Sequence, residues 1–438
     1  MAGEWLPAGW RLVKLGDLGE VNRGRSRHRP RYAEHLYGGT YPFIQTGDIK
    51  NSGGRITGYQ QSYSEAGLAQ SRMWPVGTMC ITIAANIAET GILSFPACFP
   101  DSVVGFIADE SKCDTRFVEY TFRFLRQQIQ NEASGSVQDN INLATLGRLR
   151  FPLPPLREQR AIAHILGSLD DKIELNRKMN ETLETMARAL FKSWFVDFDP
   201  VRAKVEGRDL SLPQHLADLF PDSFEDSELG EIPRGWTVGP ILDHARLMSG
   251  GTPKTDRPEY WGGTISWASA KDVSQSNGSI LVDTERTITP RGLDESATQM
   301  IPAFSSVVVA RGATTGRMVL FGREMAMNQT CYALATTTQT PFALYCRLRV
   351  EIDDLVHAAH GSVFDTITTS TFASSRIVLP PPSALKAFEA RIAPLFQNVL
   401  NNVSTSRTLT ALRDTLLPKL ISGELRVADP ARFLEGGD

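Results

Sequence analysis

The sequence predicts an α+β protein in which two duplicated, strand-rich domains are separated by two long, antiparallel, coiled-coil-like helices. Three observations lead to this prediction: a repeat that covers most of the chain, short apolar runs bounded by glycine, proline and asparagine, and a long helical pattern after each copy of the repeat. The predicted segments are residues 1–155 (first copy), 156–197 (first helix), 198–230 (acidic linker), 231–383 (second copy), 384–425 (second helix) and 426–438 (tail).

The repeat is visible in short landmarks that return at an offset of 224 to 226 residues. The first copy carries LPAGW at 6–10, YGGT at 37–40, GSV at 135–137 and LPP at 153–155. The second copy carries IPRGW at 232–236, WGGT at 261–264, GSV at 361–363 and LPP at 379–381. A duplication of this length indicates two copies of one domain.

Within each copy, short apolar runs predict strands. The runs MCITI at 79–83 and GILSF at 91–95 in the first copy correspond to SVVVA at 306–310 and MVLF at 318–321 in the second. The spacing of Phe117, Tyr120 and Phe124 predicts a helix over residues 115–130.

A heptad pattern predicts the first long helix, about 55–60 Å in length at roughly 1.5 Å per residue. One seven-residue series holds Ile162, Leu169, Asn176, Leu183 and Leu190, and its companion holds Leu166, Ile173, Ala187 and Trp194.

The second long helix follows three prolines, with Ser383 as its predicted N-cap. Pro394 predicts a kink inside this helix, and Pro418 predicts a kink or an early end. Because each helix alone would expose an apolar stripe, we expect the two to pack on each other in antiparallel orientation. Asn176 lies at a seam position, where it either fixes the register of the pair or is a tolerated polar break in the heptad pattern.

The composition indicates a soluble globular protein, with 42% hydrophobic and 22% charged residues. No apolar run is long enough to span a bilayer, the N-terminus does not resemble a signal peptide, and the five cysteines lack CxxC spacing. We therefore expect a cytoplasmic protein with buried, free thiols. The net charge is −3, but residues 209–231 hold seven acids and no Lys or Arg, so the rest of the chain carries +4 and permits DNA binding.

Sequence motifs for catalysis are absent. The chain has no Gly-Lys dipeptide for a P-loop, no HExxH or paired CxxC for a metal, and no Asn/Asp-Pro-Pro-aromatic loop of a DNA methyltransferase. His357 and His360 are three residues apart, which a surface helix end explains more simply than a metal site does. We therefore predict no catalytic residue, no metal site and no cofactor on this chain.

The most basic stretch of the chain is NRGRSRHRPR at residues 22–31. Its arginines alternate with small or polar residues, so an extended backbone would place them on one edge, where they suit phosphates or guanine edges. These candidate DNA-binding residues are Arg23, Arg25, Arg27, Arg29 and Arg31. The alternative interpretation is a solvated loop. The second copy has a glycine-rich loop at the corresponding place, with Thr252 and Lys254 as candidates.

Polar residues that follow strand-like runs form a second group of candidates, at matching places in the two copies. They are Thr46, Lys50, Asn86 and Thr90 in the first copy and Ser269, Lys271, Arg311, Thr314 and Thr315 in the second. The simpler interpretation is that such residues form turns. However, the copies differ most at these loops while they keep their glycine, proline and apolar landmarks, as expected of one fold that reads two sequences.

Several longer motifs together resemble those of the specificity subunits of Type I restriction-modification systems, over the whole chain. The motifs are LPPLREQ at 153–159, LE at 183–184, WF at 194–195, FDPVRAK at 198–204, ELGEIPRGW at 228–236, GGTP at 250–253, LRDTLLPKL at 412–420 and ISGEL at 421–425. One departure is that PSAL at 382–385 stands where LREQ stands at 156–159, so we expect the two helix ends to contact partners unequally.

The resemblance implies a protein with two target-recognition domains, each of which reads one half of a split sequence in double-stranded DNA. It also implies that the long helices bind two adenine methyltransferase subunits, which carry S-adenosylmethionine, and two nuclease-translocase subunits where these exist, which use ATP and Mg. The residues that we predict for the subunit interface are Glu158, Gln159, Met179, Met186, Trp194, Phe195, Leu416 and Leu420.

A different class of function stays open at this stage. A duplicated, strand-rich module on a helical spacer is also suited to a protein-binding or glycan-binding scaffold. An enzyme in its own right is disfavoured by the missing motifs. The dependence of DNA affinity on salt distinguishes DNA binding from the scaffold.

Overall fold

A computed structural model of the chain describes residues 6–28, 30–134, 141–210, 212–276, 278–360 and 366–433. Arg29 and the two GSV landmarks of the repeat lie outside the described residues. The chain divides into two compact units. Unit 1 comprises Met1–Lys172 with Thr408–Asp438, and unit 2 comprises Ile173–Arg407. Each unit therefore contains one copy of the repeat and part of each long helix.

The elements of the first copy begin with short strands and end on a long helix. Its strands are β1 (Arg11–Val13), β2 (Gly19–Arg23), β3 (Tyr37–Phe43), β4 (Arg55–Ile56), β5 (Gln61–Tyr63), β6 (Met79–Thr82), β7 (Thr90–Leu93), β8 (Val103–Ala108) and β9 (Phe151–Leu153). Its helices are α1 (Thr46–Asn51), α2 (Glu65–Ala69), α3 (Thr115–Ser134) and α4 (Leu143–Arg148), followed by the long helix α5 (Leu156–Phe195).

Four short elements connect the copies, and the second copy then repeats the order of the first with one added short strand. The connecting elements are α6 (Asp199–Val205), α7 (Gln214–Ala217), β10 (Phe224–Ser227) and β11 (Gly230–Pro233). The strands that follow are β12 (Thr237–Pro240), β13 (Ala245–Ser249), β14 (Trp261–Ala268), β15 (Ile280–Leu281), β16 (Arg286–Ile288), β17 (Ser306–Val309), β18 (Met318–Phe321), β19 (Ala326–Met327), β20 (Cys331–Thr336) and β21 (Arg376–Leu379). The helices are α8 (Ala270–Gln275), α9 (Pro290–Asp294), α10 (Pro341–His360), α11 (Thr369–Ser374) and the long helix α12 (Pro382–Ser422).

The two copies share one sheet topology, which confirms the duplication. The five-stranded sheet has the order β2-β8-β6-β7-β4 in the first copy and β13-β20-β17-β18-β15 in the second. The terminal pair is parallel in both sheets, β4 with β7 and β15 with β18, while the other pairs are antiparallel. A separate antiparallel pair, β1 with β9 or β12 with β21, leads into the long helix of each copy.

The strands that the apolar runs form are apolar at every position because both faces of each central strand are covered. In β6, Met79 and Ile81 pack in the cluster that contains Phe117 of α3. The intervening Cys80 packs with Trp74 on the opposite face. Side chains of a strand alternate between the two faces of the sheet, so a run that is apolar at every position marks a strand buried on both sides.

The long helices pack in antiparallel orientation, as the heptad pattern predicts. In unit 2, the rings of Phe191 and Trp194 on α5 lie 5.5 Å and 5.8 Å from that of Phe388 on α12. In unit 1, Ile162 and Leu166 of α5 share a core cluster with Leu420. Residues near the start of α5 thus meet the end of α12, and residues near its end meet the start.

Asn176 is buried in the seam and is hydrogen-bonded across it. Its amide nitrogen donates to Oγ of Ser406 at 3.1 Å and to the carbonyl oxygen of Asn402 at 3.5 Å. The Asn402 amide in turn donates to Oδ1 of Asn180 at 2.9 Å. This polar layer satisfies the buried amide, and its role in fixing register stays a prediction.

The ends of α12 differ from the sequence-based expectation. The helix begins at Pro382, so Ser383 lies inside the first turn and the prediction that it is the N-cap is wrong. The early end at Pro418 is also wrong, because the helix continues to Ser422 and stops before Gly423, whose φ is +78°. Proline is tolerated when packing of the helix on its partner outweighs one lost backbone hydrogen bond. The kinks at Pro394 and Pro418 stay predictions.

Glu389 of α12 holds the N-terminal end of α10 in unit 2. Its carboxylate accepts hydrogen bonds from the backbone amides of Phe342 at 3.2 Å and Ala343 at 2.8 Å. Burial raises the pKa of Glu389 to about 7, although these two donors favour the charged form.

We expect the cost of truncating α5 to depend on which face of the helix is changed. Trp194→Ala removes a buried ring in contact with Phe388 and Phe220, and should lower the free energy of unfolding by about 3–5 kcal/mol. Met186→Ala, on the exposed face, should change it by no more than about 0.5 kcal/mol. Urea unfolding of the two variants measures the difference, and equal losses would contradict the packing described.

The raised pKa of Glu389 predicts a pH dependence of stability. A carboxyl whose pKa is higher in the folded state stabilises that state fully below its ordinary value of 4.5 and loses the contribution as the pH rises through about 7. Glu389→Gln keeps an acceptor for the α10 amides but cannot ionise. The advantage of the wild type over this variant should therefore shrink between about pH 5 and pH 8 in thermal unfolding. Parallel pH curves would contradict the assignment.

Candidate nucleic-acid interface

The arginine-rich run of the first copy is extended, and its side chains alternate between surface and interior. Arg23, at the end of β2, is exposed, as are Arg25 and Arg27, whereas Gly24 and Ser26 are buried. A Cβ on Gly24 would lie 2.3 Å from the carbonyl oxygen of Pro100, so only glycine fits there. The alternation predicted for the arginines is therefore present at these three positions.

The backbone of this run is anchored while its guanidinium groups are not. The Arg25 amide donates to the Phe99 carbonyl at 3.1 Å, and the Arg27 amide donates to Oε1 of Gln70 at 2.6 Å. Within the described part of the chain, the side chains of Arg23, Arg25 and Arg27 make no hydrogen bond or ion pair. An anchored backbone with unpaired cations suits an anionic ligand.

Arg31 differs from the other arginines of the run. Its Nη2 donates to both carboxylate oxygens of Asp101, at 2.9 Å and 3.1 Å. Its charge is therefore largely compensated within the chain, which makes it the weaker candidate for contact with a phosphate.

The glycine-rich loop of the second copy has the same backbone setting. A Cβ on Gly250 would lie 2.3 Å from the carbonyl oxygens of Met327 and Asn328, as a Cβ on Gly24 would lie 2.3 Å from that of Pro100. Thr252 and Lys254 are exposed, and the hydroxyl of Thr252 donates to Oε1 of Gln329. The two loops correspond in geometry but present different side chains.

The second group of candidates in the first copy is brought together where α1 meets the β6–β7 loop. Nζ of Lys50, on α1, donates to Oδ1 of Asn86 at 3.2 Å. Thr46 lies half-buried in the first turn of α1, next to Asp48, whose carboxylate caps the helix through the Gln45 amide at 2.8 Å. Lys50 and Asn86 thus form one surface feature.

The matching place in the second copy is built by different groups. Oγ of Ser274, on α8, donates to Oγ1 of Thr314 at 2.7 Å, at the position of the Lys50–Asn86 contact. Ser269 caps α8 with Asp272, and the Thr315 hydroxyl closes a turn on the Gly312 carbonyl at 2.7 Å. The turn-forming interpretation therefore accounts for these two residues.

Two cations of this region in the second copy are exposed. Arg311 lies in the loop that follows β17. Lys271, on α8, pairs with Glu285, with 2.5 Å between Nζ and Oε2. Their surface positions keep both as candidates.

Thr90 requires a correction. Its side chain is buried, and its hydroxyl donates to Oε1 of Glu119 at 2.8 Å in the interior of unit 1. The sequence places it after a loop, but the strand β7 that it begins faces α3. Thr90 is therefore no surface candidate for base contact.

Sequence reasoning missed two surface features. The amides of Gln45 and Gln61 meet at 2.5 Å, on the outside of the β3–β5 pair. In the second copy, the guanidinium of Arg286 lies 3.4 Å from the centre of the Trp261 ring. Paired amides can read adenine and a stacked arginine can read guanine, but no local motif marks residues that meet only through strand pairing.

Two residues predicted for the subunit interface are instead internal. The Glu158 carboxylate is buried, and it accepts from Nε of Arg426 at 2.7 Å and from the Trp10 indole at 3.2 Å. Gln159 is buried and accepts from the Asp114 amide at 3.0 Å, next to the start of α3. Glu158 and Gln159 of the LREQ motif therefore pack inside unit 1, and unequal contact of the two helix ends with partners stays a prediction.

The remaining interface predictions divide by burial. Trp194, Phe195 and Leu420 are buried in the cores of their own units and cannot offer a surface, which corrects those three assignments. Leu416 is half-buried against the core of unit 1. Met179 and Met186 are 40% and 54% exposed, and Leu175, which the sequence analysis missed, is 51% exposed on the same face of α5.

The cysteines and acids offer no metal centre in the described part of the chain, where no group of three or more potential ligands occurs. The side chains of His357 and His360 are outside the described residues. All five cysteines are buried, and burial raises the pKa of Cys113 and Cys331 to about 12. Among the helices that the structure describes, none has the length and apolar content needed to cross a membrane.

Comparison with known proteins gives consistent results. The family described as "Type I restriction modification DNA specificity domain" matches residues 7–185 and 233–411. The chain is 25% identical over 436 residues to the Type I restriction enzyme MjaIX specificity subunit of Methanocaldococcus jannaschii, covering 97% of this chain and 95% of that protein. It is 28% identical over 339 residues to the HindI specificity subunit of Haemophilus influenzae, covering 67% and 73%.

A solved structure supports the fold. The crystal structure of a Type I restriction-modification S subunit from M. genitalium superposes with a TM-score of 0.58 at 14% identity. The superposition covers 94% of this chain and 96% of that one.

Proposed function

Because this chain belongs to the family of Type I restriction modification DNA specificity domains, we propose that it is the DNA-recognition subunit of such a system. In this proposal it binds a bipartite target in double-stranded DNA, with one half-site for each copy of the repeat. The chain itself is non-catalytic and carries no cofactor. Methyltransferase partners supply S-adenosylmethionine, and nuclease-translocase partners, where they exist, supply the ATP- and Mg-dependent chemistry.

One observation carries the bipartite proposal: corresponding positions have the same backbone and different side-chain chemistry. A Cβ on Gly24 or on Gly250 would lie 2.3 Å from a neighbouring backbone carbonyl, yet the first glycine is followed by alternating arginines and the second by Thr252 and Lys254. Lys50 meets Asn86 where Ser274 meets Thr314. A duplicated scaffold whose exposed polar groups differ at corresponding positions suits the reading of two different sequences.

The proposed partner surface lies on α5. Leu175, Met179 and Met186 are spaced by four and seven residues, so they share one face of the helix, and all three are exposed. An exposed apolar stripe suits a protein partner, and we assign it to a methyltransferase subunit, with two such subunits in the assembly.

The arginine run should contribute phosphate contacts. Replacing Arg25 and Arg27 together with Ala should weaken binding to random duplex DNA and lower the slope of log affinity against log salt by about 2, because each phosphate contact releases about one counterion. The control is Arg177→Ala with Lys178→Ala, which removes two positive charges that pair with Glu174 on α5.

The outcome of this titration distinguishes the interpretations of the run. An unchanged slope with loss of one sequence preference would make the arginines base readers. No change in either quantity would make the run a solvated loop. A wild-type chain that binds no duplex DNA at any salt concentration would favour a protein- or glycan-binding scaffold.

Exchange of one copy tests the bipartite proposal directly. Grafting residues 1–155 from a relative should change one half of the methylated sequence and leave the other half and the spacer intact, because each copy has its own surface loops. Methylome sequencing of cells that carry the graft and the methyltransferase reports the result. A change in both halves would contradict recognition by separate domains.

A further inference from the structure

Each copy contacts the long helices through a cluster of side chains, which we call the joint. The joints of the two copies lie at corresponding positions but consist of different types of residue. In unit 1 the joint is a chain of buried charges from α3 through α5 to α12, formed by Glu119, Arg123, Asp170 and Arg413. The side chains of Arg123 and Asp170 are each only 16% exposed. A buried ion pair demands good geometry, since loss of one partner leaves a charge without compensation.

Arg123 is the branch point of this chain. Its guanidinium donates through Nε to Glu119 at 2.6 Å, through Nη1 to Asp170 at 3.2 Å, and through Nη2 to the Gly53 carbonyl at 2.7 Å. Gly54, with φ at +96°, makes room for it, because a Cβ there would lie 1.6 Å from Nη2. Burial opposes the charge on Arg123, but the carboxylates of Glu119 and Asp170 outweigh it and raise its pKa.

The same face of α3 supports the loop that carries Asn86. Glu119 accepts from the Thr90 hydroxyl at 2.8 Å, Arg126 pairs with Glu89 at 3.0 Å, and Gln130 donates to the Ile87 carbonyl at 2.9 Å. Gly53, held by Arg123, follows the helix that carries Lys50. Arg123 therefore contacts the supports of both members of the Lys50–Asn86 pair.

Asp170 connects α3 to the two long helices. It accepts from the Tyr120 hydroxyl at 2.7 Å and, through its other oxygen, from Nη1 of Arg413 at 2.7 Å. The hydrogen bonds that Tyr120, Arg123 and Arg413 donate to the Asp170 carboxylate are directional. They therefore constrain how α3 is oriented on the long helices as well as holding it there.

The second copy has aromatic residues at the partner positions. At the 226-residue offset, Tyr345 corresponds to Glu119 and Phe396 corresponds to Asp170, and the rings of these two residues lie 5.7 Å apart. Arg349 corresponds to Arg123 but is exposed, and its side chain forms no ion pair or hydrogen bond with the described residues. The arginine is common to both copies, whereas carboxylates at the positions of Glu119 and Asp170 exist only in the first.

From this difference we propose that Arg123 is a positioning residue for DNA recognition by the first copy, and that the second copy does not depend on its counterpart Arg349. Arg123 holds the Lys50–Asn86 surface at a fixed orientation on the α5–α12 pair. The inference rests on the proposed function. It states that the selectivity for one half-site depends on one buried residue.

The test uses the full chain with its methyltransferase subunits and a pool of randomised DNA duplexes, from which bound sequences are selected and read. The wild type should select two half-sites. Arg123→Leu should keep one half and lose roughly five-fold or more in preference at each base pair of the other, the cost of a typical mismatch. Affinity for unselected duplex and its salt slope should stay unchanged, since Arg123 is buried. The grafted chain identifies which half belongs to the first copy.

The matched control is Arg349→Leu, the same change at the same helix position, which should retain both half-sites. Arg123→Lys is the second variant, and it guards against misfolding of the first. It keeps a positive charge beside Glu119, so its thermal stability should be higher than that of Arg123→Leu. A single ammonium group cannot bind three partners in a fixed plane, so the preference for the half-site should stay reduced.

Each result bears on one claim. A wild type that selects no sequence overturns the proposed function. A wild type with two half-sites, together with Arg123 variants that keep both, overturns the inference alone. Loss of both half-sites in Arg123→Lys, or an equal loss in Arg349→Leu, would also overturn it, because the effect would then not be specific to the first copy.

Discussion

The pairing of the two long helices is the constraint on which the rest of the structure depends. Neither α5 nor α12 can bury its apolar seam alone, and each copy of the repeat completes its core on segments of both. Phe191, Trp194 and Phe195 of α5 enclose Phe388 of α12 in unit 2. The helix pair that separates the two copies therefore also belongs to the cores of both.

This arrangement explains why Glu158 and Gln159 of the LREQ motif are internal. Glu158 joins Arg426 to Trp10, and Gln159 holds the backbone at the start of α3. In unit 2 the start of α10 is held instead by Glu389. Residues at different positions of the two long helices therefore accept hydrogen bonds from the free amides at a helix start. Any acceptor close enough to these amides can do so, whatever its position in a sequence motif.

The surface that remains divides by chemistry. Exposed, anchored arginines and amides lie on the loops of the copies, and the exposed apolar groups of α5 lie on one face of that helix. Polar groups with a fixed backbone suit a charged, hydrogen-bonding ligand, whereas an apolar helical stripe suits a protein. In the proposed function, the DNA and protein partners would therefore not compete for the same residues.

The sequence by itself determined the duplication, the α+β class, the two long helices and their antiparallel pairing. These follow from local periodicity: a heptad seam and an apolar run recur within a few residues and require a buried partner wherever they occur. The alternation of Arg23, Arg25 and Arg27 between buried small residues is local in the same way, as it depends only on an extended backbone.

The tertiary structure alone decided which polar and apolar residues are available to partners. From sequence alone Trp194 and Leu420 are candidates for a surface, but in the structure the opposite helix and the surrounding core bury them. Thr90 is a candidate in a loop, but α3 covers it. The partners of Arg123 come from residues 53, 119 and 170, and its counterpart Arg349 has the same side chain without them. Such contacts join segments far apart in the chain, and their energy depends on burial and orientation, which no local pattern of residues encodes.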